Sequence, residues 1–452
     1  MVRGIFNRLL NLREGEFWLV LTAGLLLFGN SAATQITGVA AVSGFLNEVG
    51  VNQILLVWII DFLLMLPVAG LQSLVVDRFD RIKLLRGIMI VFALLAVLLR
   101  LSFYLKGPGM VTYGLMYLLA DQQWLFFPAM LWVLANDLFS MAQTKRLFPV
   151  IASFGLAGKL FGLGITLAAP TFYHNLNIKP VDMLWVNVVI YAFGFAFSYI
   201  GLRGVNLYRP VVRVSLGVRQ TLSEAWGFVR EVPAFRYLML TMFMLMMCDT
   251  IIEFHFLAST EAAFAGPETF QTFYALYRLG LILALLAGQS LLSRWCVEKL
   301  GIKDTFFILP IVTLVGAALY LMVPTVAACI AMMAVNQFAR DTANDVAIKS
   351  MQSLIPEERR GRVTVFMESY LTSLGTIFGS LLTGAIVFGW TRMAPPATQS
   401  LYWYGYLTCC LILSGCAVWM VTLMRRSYDS SMLNWRLNRR KRSVTILENL
   451  EF

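Results

Sequence analysis

Seven side chains with usable chemistry stand near the middle of otherwise apolar stretches: Asp61, Asp121, Gln122, Lys159, Asp249, Glu253 and Arg278. A carboxylate in apolar surroundings can hold a proton near neutral pH. A buried cation can hold an anionic group, arginine as a planar fork and lysine as a point charge. Three uses compete. Asp121 with Lys159, and Asp249 with Arg278, fall on stretches adjacent in sequence, so each couple can form a structural ion pair. The same groups can line a binding site for a small molecule. Alternatively Asp61, Asp121 or Glu253 can relay protons, and Asp61 fits best because no basic residue shares its depth in the neighbouring stretches. Glu253 lies one helical turn beyond Asp249, with His255 close by. Arg340 and Glu368 lie nearer one end of their stretches. Trp124, Phe126, Phe127, Trp132, Tyr274 and Tyr277 can line a cavity or pack against lipid.

The elements that must position these groups follow from composition. The chain is 59% hydrophobic and 13% charged, about half the charge of a soluble domain, with mean hydropathy +0.73. Its apolar residues come in runs near the ~20 residues that cross a bilayer. These are Phe17–Phe45, Ile54–Val76, Leu84–Leu105, Val111–Leu138, Leu147–Ala169, Met183–Leu202, Phe235–Ala258, Phe270–Leu292, Thr305–Met322, Val326–Ile348, Val363–Phe388 and Tyr402–Met424. The expected fold is therefore an all-α integral membrane protein of twelve spans. No signal peptide is read at the N-terminus, where Glu14 and Glu16 lead straight into a full span. The six cysteines sit in or beside spans and form no CxxC pair, so they read as small apolar fillers. With two histidines, neither a metal site nor a cofactor is expected.

Charge sets the orientation. Of 36 Lys and Arg, only Lys106, Lys179 and Arg392 fall in odd-numbered connections, and Arg100, Lys159, Arg278 and Arg340 within spans. The rest gather at the termini and even-numbered connections. Positive charge stays cytoplasmic on insertion, so both termini are expected in the cytoplasm and the bilayer is the inner membrane. The basic tail, Arg425–Ser443, then faces anionic lipid rather than nucleic acid. Domain limits follow: 1–202 and 235–424 as two six-span halves, 203–234 as a cytoplasmic linker, and 425–452 as the tail. In the linker, Val218, Leu222, Trp226 and Val229 recur at helical spacing, as in a surface-lying amphipathic helix.

The halves repeat each other. Ala135-Asn136-Asp137, then Lys145-Arg146, then Gly155, Gly158, Gly162 and Gly164 is matched by Ala343-Asn344-Asp345, Arg359-Arg360, then Gly375, Gly379 and Gly384. The glycines predict close packing of each half's fifth span. Asp137 faces Lys145 and Arg146 across a short turn, and Asp345 faces Arg359 and Arg360. Such pairs can form when one side of a carrier closes and break when it opens. Asp341, Asp345 and Lys349 are four apart on one helix face. Between spans 2 and 3 runs GLQSLVVDRFDRIKLLR. Its Gly70, Asp77, Arg78, Arg81 and Lys83 resemble the loop motif of the major facilitator superfamily, with Asp80 in place of a second glycine. The resemblance implies a two-half transporter fold and a loop that holds the inner gate through charge pairs and helix capping.

The run W-x-L-A-N-D-x-F-x-x-x-Q-x-K-R-L-F-P, Trp132–Pro149, resembles the ATP/ADP translocases of bacteria and plastids, a branch with that fold. The second-half run from Ala343 is similar to that family's corresponding segment. The translocases carry a charged R-D-T-K-D type cluster in the first span. Here that place holds GNSAATQITG, polar but uncharged.

These readings imply a secondary transporter working by alternating access, read as a monomer, moving a small solute that includes nucleotides and other anionic or phosphorylated compounds. Protons are a candidate coupling ion. The alternative is a proton-coupled exporter of lipidic or cationic compounds. A receptor or assembly factor on the same scaffold is the option from another class. No Walker, GxSxG or HExxH motif stands in a suitable context, so no enzyme is expected.

Overall fold

The computed structural model describes residues 16–78, 80–176, 180–203, 226–227, 229–230, 232–264, 266–295, 299–352, 355, 363–364, 366–393, 395 and 401–448. The architecture is all-helical. In chain order the long helices are α1 (Phe17–Glu48), α2 (Ile54–Arg78), α3 (Arg81–Tyr104), α4 (Gly109–Leu138), α5 (Met141–Leu176) and α6 (Met183–Gly201). They continue with α7 (Pro233–Ala263), α8 (Pro267–Trp295), α9 (Ile308–Met322), α10 (Val326–Ala339), α11 (Thr372–Met393) and α12 (Tyr402–Glu448). Among the described residues, eleven helices are long and apolar enough to cross a membrane. The expected tenth span falls short because it is interrupted. After the 14 residues of α10, a π turn at Arg340–Asn344 precedes a further helical stretch, Asp345–Gln352. A second π turn, Phe366–Leu371, opens into α11.

The basic tail continues α12, whose 47 residues run unbroken to Glu448, past a membrane-crossing part that ends at Tyr428. The expected amphipathic linker helix lies largely outside the described residues. Its Trp226 and Val229 are helical, and Val229 is buried.

The chain forms two compact units. The first comprises residues 1–57, 68–215 and 261–282, and the second 58–67, 216–260 and 283–452. In the first unit α5 lies directly on α1. A Cβ added at Gly158 would stand 2.2 Å from the Phe28 carbonyl oxygen, and one at Gly162 2.5 Å from that of Ala32. In the second unit α11 meets α7 the same way. A Cβ at Gly375 would stand 2.5 Å from the Met246 Cβ, and one at Gly379 3.1 Å from the Met247 backbone. The glycine repeat thus packs the fifth span of each half on the first.

Lipid offers no hydrophobic gain for helix association, so such seams hold by dispersion at short range, which only small residues permit. Gly158→Ala and Gly162→Ala are expected to destabilise the protein by about 1–3 kcal/mol each through overpacking. Gly164→Ala, with nothing within 4 Å of the added Cβ, is the matched neutral change. Thermal melting of the detergent-purified chain, read by intrinsic fluorescence, checks the contrast.

Candidate functional site

In the first unit, α1 turns its polar stretch toward α4, α5 and α6. Asn30 donates from Nδ2 to the Gln123 carbonyl at 3.0 Å and accepts from the Tyr191 hydroxyl at 2.9 Å. Asn187 of α6 donates to Thr37 Oγ1 at 2.5 Å. These bonds satisfy groups that would otherwise be costly at membrane depth.

Beside them lies a cavity of about 370 Å³, within the usual range of small-molecule sites. From α1 it takes Asn30, Ser31, Thr34 and Gln35, from α4 Trp124, Pro128 and Trp132, and from α5 Gly155 and Lys159. Pro128 sits inside α4 and has no N–H, so the Trp124 carbonyl loses its helical donor. The buried Gln35 Oε1 has no hydrogen-bond partner among the described residues. The cavity therefore offers one cation, several amide and hydroxyl groups, and two indoles. That donor set suits an anionic solute with a flat ring, bound by charge-assisted hydrogen bonds and stacking.

Arg278 belongs to the same unit. Its guanidinium lies 5.5 Å from the Tyr274 ring centroid. A Cβ at Gly38 would come 3.3 Å from its Nη1, about two turns along α1 from Ser31. Asp121 and Gln122 are half-buried on α4.

The expected pairing of Asp249 with Arg278 is not what the structure holds. Asp249 pairs with Arg340 of the second unit, which also reaches Asp341 at 3.4 Å. Asn336 Nδ2 donates to Asp249 at 3.2 Å, and Thr313 donates to Asn336 Oδ1 at 2.7 Å. The network ties α7, α9 and α10 together at the residue where the π turn begins. Arg340 thus serves the middle of α7, although sequence depth puts it nearer the end of its span. Sequence adjacency misleads because α7 meets α10 here. Glu253 is close enough to Arg340 to act on it electrostatically. Asp61 is fully buried in the second unit. Gln352 donates to Glu368 at 3.1 Å.

Of the expected turn pairs, only Asp137 with Arg146 falls among the described side chains. Asp137 pairs with Arg81, not with Arg146. Arg146 pairs with Glu16 at the head of α1, at 2.7 Å. Asp80, where the loop motif has glycine, caps α3 by accepting from the Ile82 and Lys83 amides at 2.9 and 3.1 Å. Arg86 donates to the Ser198 carbonyl at 2.9 Å near the end of α6. Lys83 is exposed. The side chains of Gly70, Asp77, Arg78 and Lys145 lie outside the described part, as do Arg359 and Arg360 altogether. Among the described residues, Asp341, Lys349, Arg340 and Glu368 are close enough to act electrostatically on Asp345. Arg100, counted inside its span, pairs near the end of α3 with Asp182 at 2.6 Å.

Asn336, Thr313 and Tyr191 were not singled out by sequence reasoning. The usable signal was an Asn, rather than a charge, at mid-span.

No protein-family model and no curated protein sequence matches the chain. Its fold does match solved membrane transporters. A bacterial homologue of the human lysosomal transporter Spinster aligns with TM-score 0.61 at 13% identity, over 93% of this chain and 99% of that one. The nucleoside transporter NupG aligns at 0.62 and 15%, over 91% and 99%. A bacterial homologue of the iron transporter ferroportin aligns at 0.58 and 16%, over 90% and 98%. The chain has the fold of the major facilitator transporters. Identities this low carry the fold and leave the substrate open.

Breaking the Asp249–Arg340 pair is expected to destabilise more than removing it whole. Asp249→Ala, which leaves Arg340 only its longer pair with Asp341, should cost about 3 kcal/mol. Asp249→Asn with Arg340→Met should recover most of that loss. Urea or thermal unfolding of the single and double variants gives the comparison.

Proposed function

We propose that the chain is a secondary transporter that carries a small anionic, ring-bearing solute across a membrane by alternating access. The observation that carries this reading is the cavity between α1, α4 and α5, where Lys159 shares a wall with Asn30, Gln35, Trp124 and Trp132. In the proposed mechanism the lysine holds the anionic group and the amides orient it. The indoles stack on the ring. A nucleotide has this chemistry, and the resemblance of the Trp132–Pro149 run to the ATP/ADP translocases points to the same class. The Asp137–Arg81 and Arg146–Glu16 pairs are proposed to hold the cytoplasmic ends of the first unit's helices and to exchange partners during the cycle. Of the remaining gating candidates, Gly70, Asp77, Arg78 and Lys83 belong to the same loop, and Lys145, Asp345, Arg359 and Arg360 to the repeated turn.

One observation favours a second reading. The fully buried Asp61 carboxylate, inside a membrane-crossing helix, suits a proton-coupled exporter, because an intramembrane acid is a group that a proton relay can use.

The test is uptake of labelled ATP by proteoliposomes, with ADP or buffer inside, at two pH gradients. Uptake that requires internal ADP and falls about tenfold or more in Lys159→Ala supports the anion carrier, that being the scale of one charge-assisted hydrogen bond. Lys159→Arg should retain part of the activity. If folded protein takes up no ATP under any gradient, the nucleotide reading is lost. If ATP uptake is absent while efflux of a lipophilic cation follows the pH gradient and vanishes in Asp61→Asn, the exporter reading replaces it.

A further inference from the structure

A cationic cleft in the second unit takes in the first two arginines of the basic tail and is separate from the cavity between α1, α4 and α5. It is lined by Lys303, Phe307, Thr422, Arg425 and Arg426, with a volume of about 430 Å³. Lys303 comes from the short helical turn Ile302–Thr305 that leads into α9, and the two arginines from α12. Arg425 is oriented by Asp304, which it meets through Nε at 2.9 Å. The lining thus holds three cations and a hydroxyl, and one of the cations, Arg425, is paired with Asp304.

What lies along the same two helices decides the ligand. Phe307 begins a row at four-residue spacing that continues through Ile311, Val315 and Leu319, all three exposed. On α12 the row Ile412, Trp419, Thr422 and Arg426 follows one face, and Ile412 and Trp419 are exposed. Four-residue steps, and steps of three or seven, return to one side of a helix. Each helix therefore presents an apolar strip that ends in the cleft, one at Lys303 and Phe307, the other at Thr422 and Arg426. A free phosphate would use only the cations. A phospholipid would use the whole surface, with its headgroup among the cations and its acyl chains along the strips.

We propose that this cleft is a headgroup site for an anionic phospholipid, one molecule per chain. It is distinct from the diffuse attraction of the tail beyond Arg426, because it holds lipid through directed contacts and not through net charge alone. Arginine and lysine paired on one phosphate resist salt far better than an exposed basic segment.

The full-length protein in mixed phosphatidylglycerol and phosphatidylcholine nanodiscs provides the test. Native mass spectrometry after release counts the lipids retained. The expected result is one phosphatidylglycerol held in preference to phosphatidylcholine, at both 0.1 and 0.5 M salt. Lys303→Ala with Arg426→Ala should reduce that retention by about tenfold or more, each cation being a charge-assisted contact. Lys303→Arg with Arg426→Lys should keep it, and an unchanged melting curve shows each variant is folded. Arg425 is spared because its pair with Asp304 helps to join α12 to the turn before α9. Equal retention of the two lipids, or retention unchanged in the double alanine variant, overturns the proposal. Displacement of the retained lipid by millimolar glycerol 3-phosphate or inorganic phosphate would also overturn it, assigning the cleft to a soluble anion.

Discussion

The contact on which the first unit depends is the approach of the Gly158 Cα to the Phe28 carbonyl. Any side chain at Gly158 would stand 2.2 Å from that oxygen. A bilayer gives helices no solvent-driven reason to associate, so backbone proximity has to supply the attraction. With Gly162 on Ala32 it fixes the rotation and register of α5 against α1. Lys159 is the next residue along. Its placement beside Asn30, Ser31 and Gln35 follows from where Gly158 sits, because a rigid helix turns the next residue by about 100 degrees. The cavity wall and the glycine seam are thus two faces of one packing decision. Gly375 and Gly379 on α7 impose the same constraint in the second unit.

This explains which features were legible in the sequence and which were not. Hydrophobic run length and the distribution of Lys and Arg report depth, so span positions and the identities of mid-membrane charges could be read directly. Glycine spacing reported that α5 and α11 pack closely. Depth says nothing of azimuth. Asp249 and Arg278 have compatible depths, yet Asp249 finds Arg340, because the neighbour of α7 at that level is α10. The same gap separates Asp137, expected to face Lys145 and Arg146, from its observed partner Arg81. Across a short turn, two charges look paired in sequence, but helix rotation directs them to different partners.

The repeat is likewise stronger in sequence than in local backbone. Ala135-Asn136-Asp137 closes a regular α-helix. Ala343-Asn344-Asp345 straddles the end of a π turn. A π turn adds about one residue to a helical turn, a distortion frequent at functional positions. Here its first residue is Arg340, the partner of Asp249. A continuous α-helix would turn every residue beyond Arg340 by a further step relative to α10, so the π turn sets how the residues after Arg340 face their neighbours. Nothing in the composition of Arg340–Asn344 announces this. The turn is a consequence of tertiary demand, which local propensity does not encode.

The first span is uncharged where the translocases it resembles carry a charged cluster, and packing changes the meaning of that difference. Polar side chains on α1 are surrounded by cations from elsewhere: Lys159 of α5 lines the cavity with Ser31 and Gln35, and the Arg278 guanidinium lies over Gly38. A lysine or arginine on α1 itself would stand against these two and repel them at close range in a poorly screened setting. On the proposed reading, the charges of the site have moved from the first span to its neighbours. Small and neutral residues on α1 are then what let those neighbours reach inward. A motif comparison scores that exchange as a loss, because it compares positions along one helix. The chemistry available to a solute depends on what converges on the cavity from all of them.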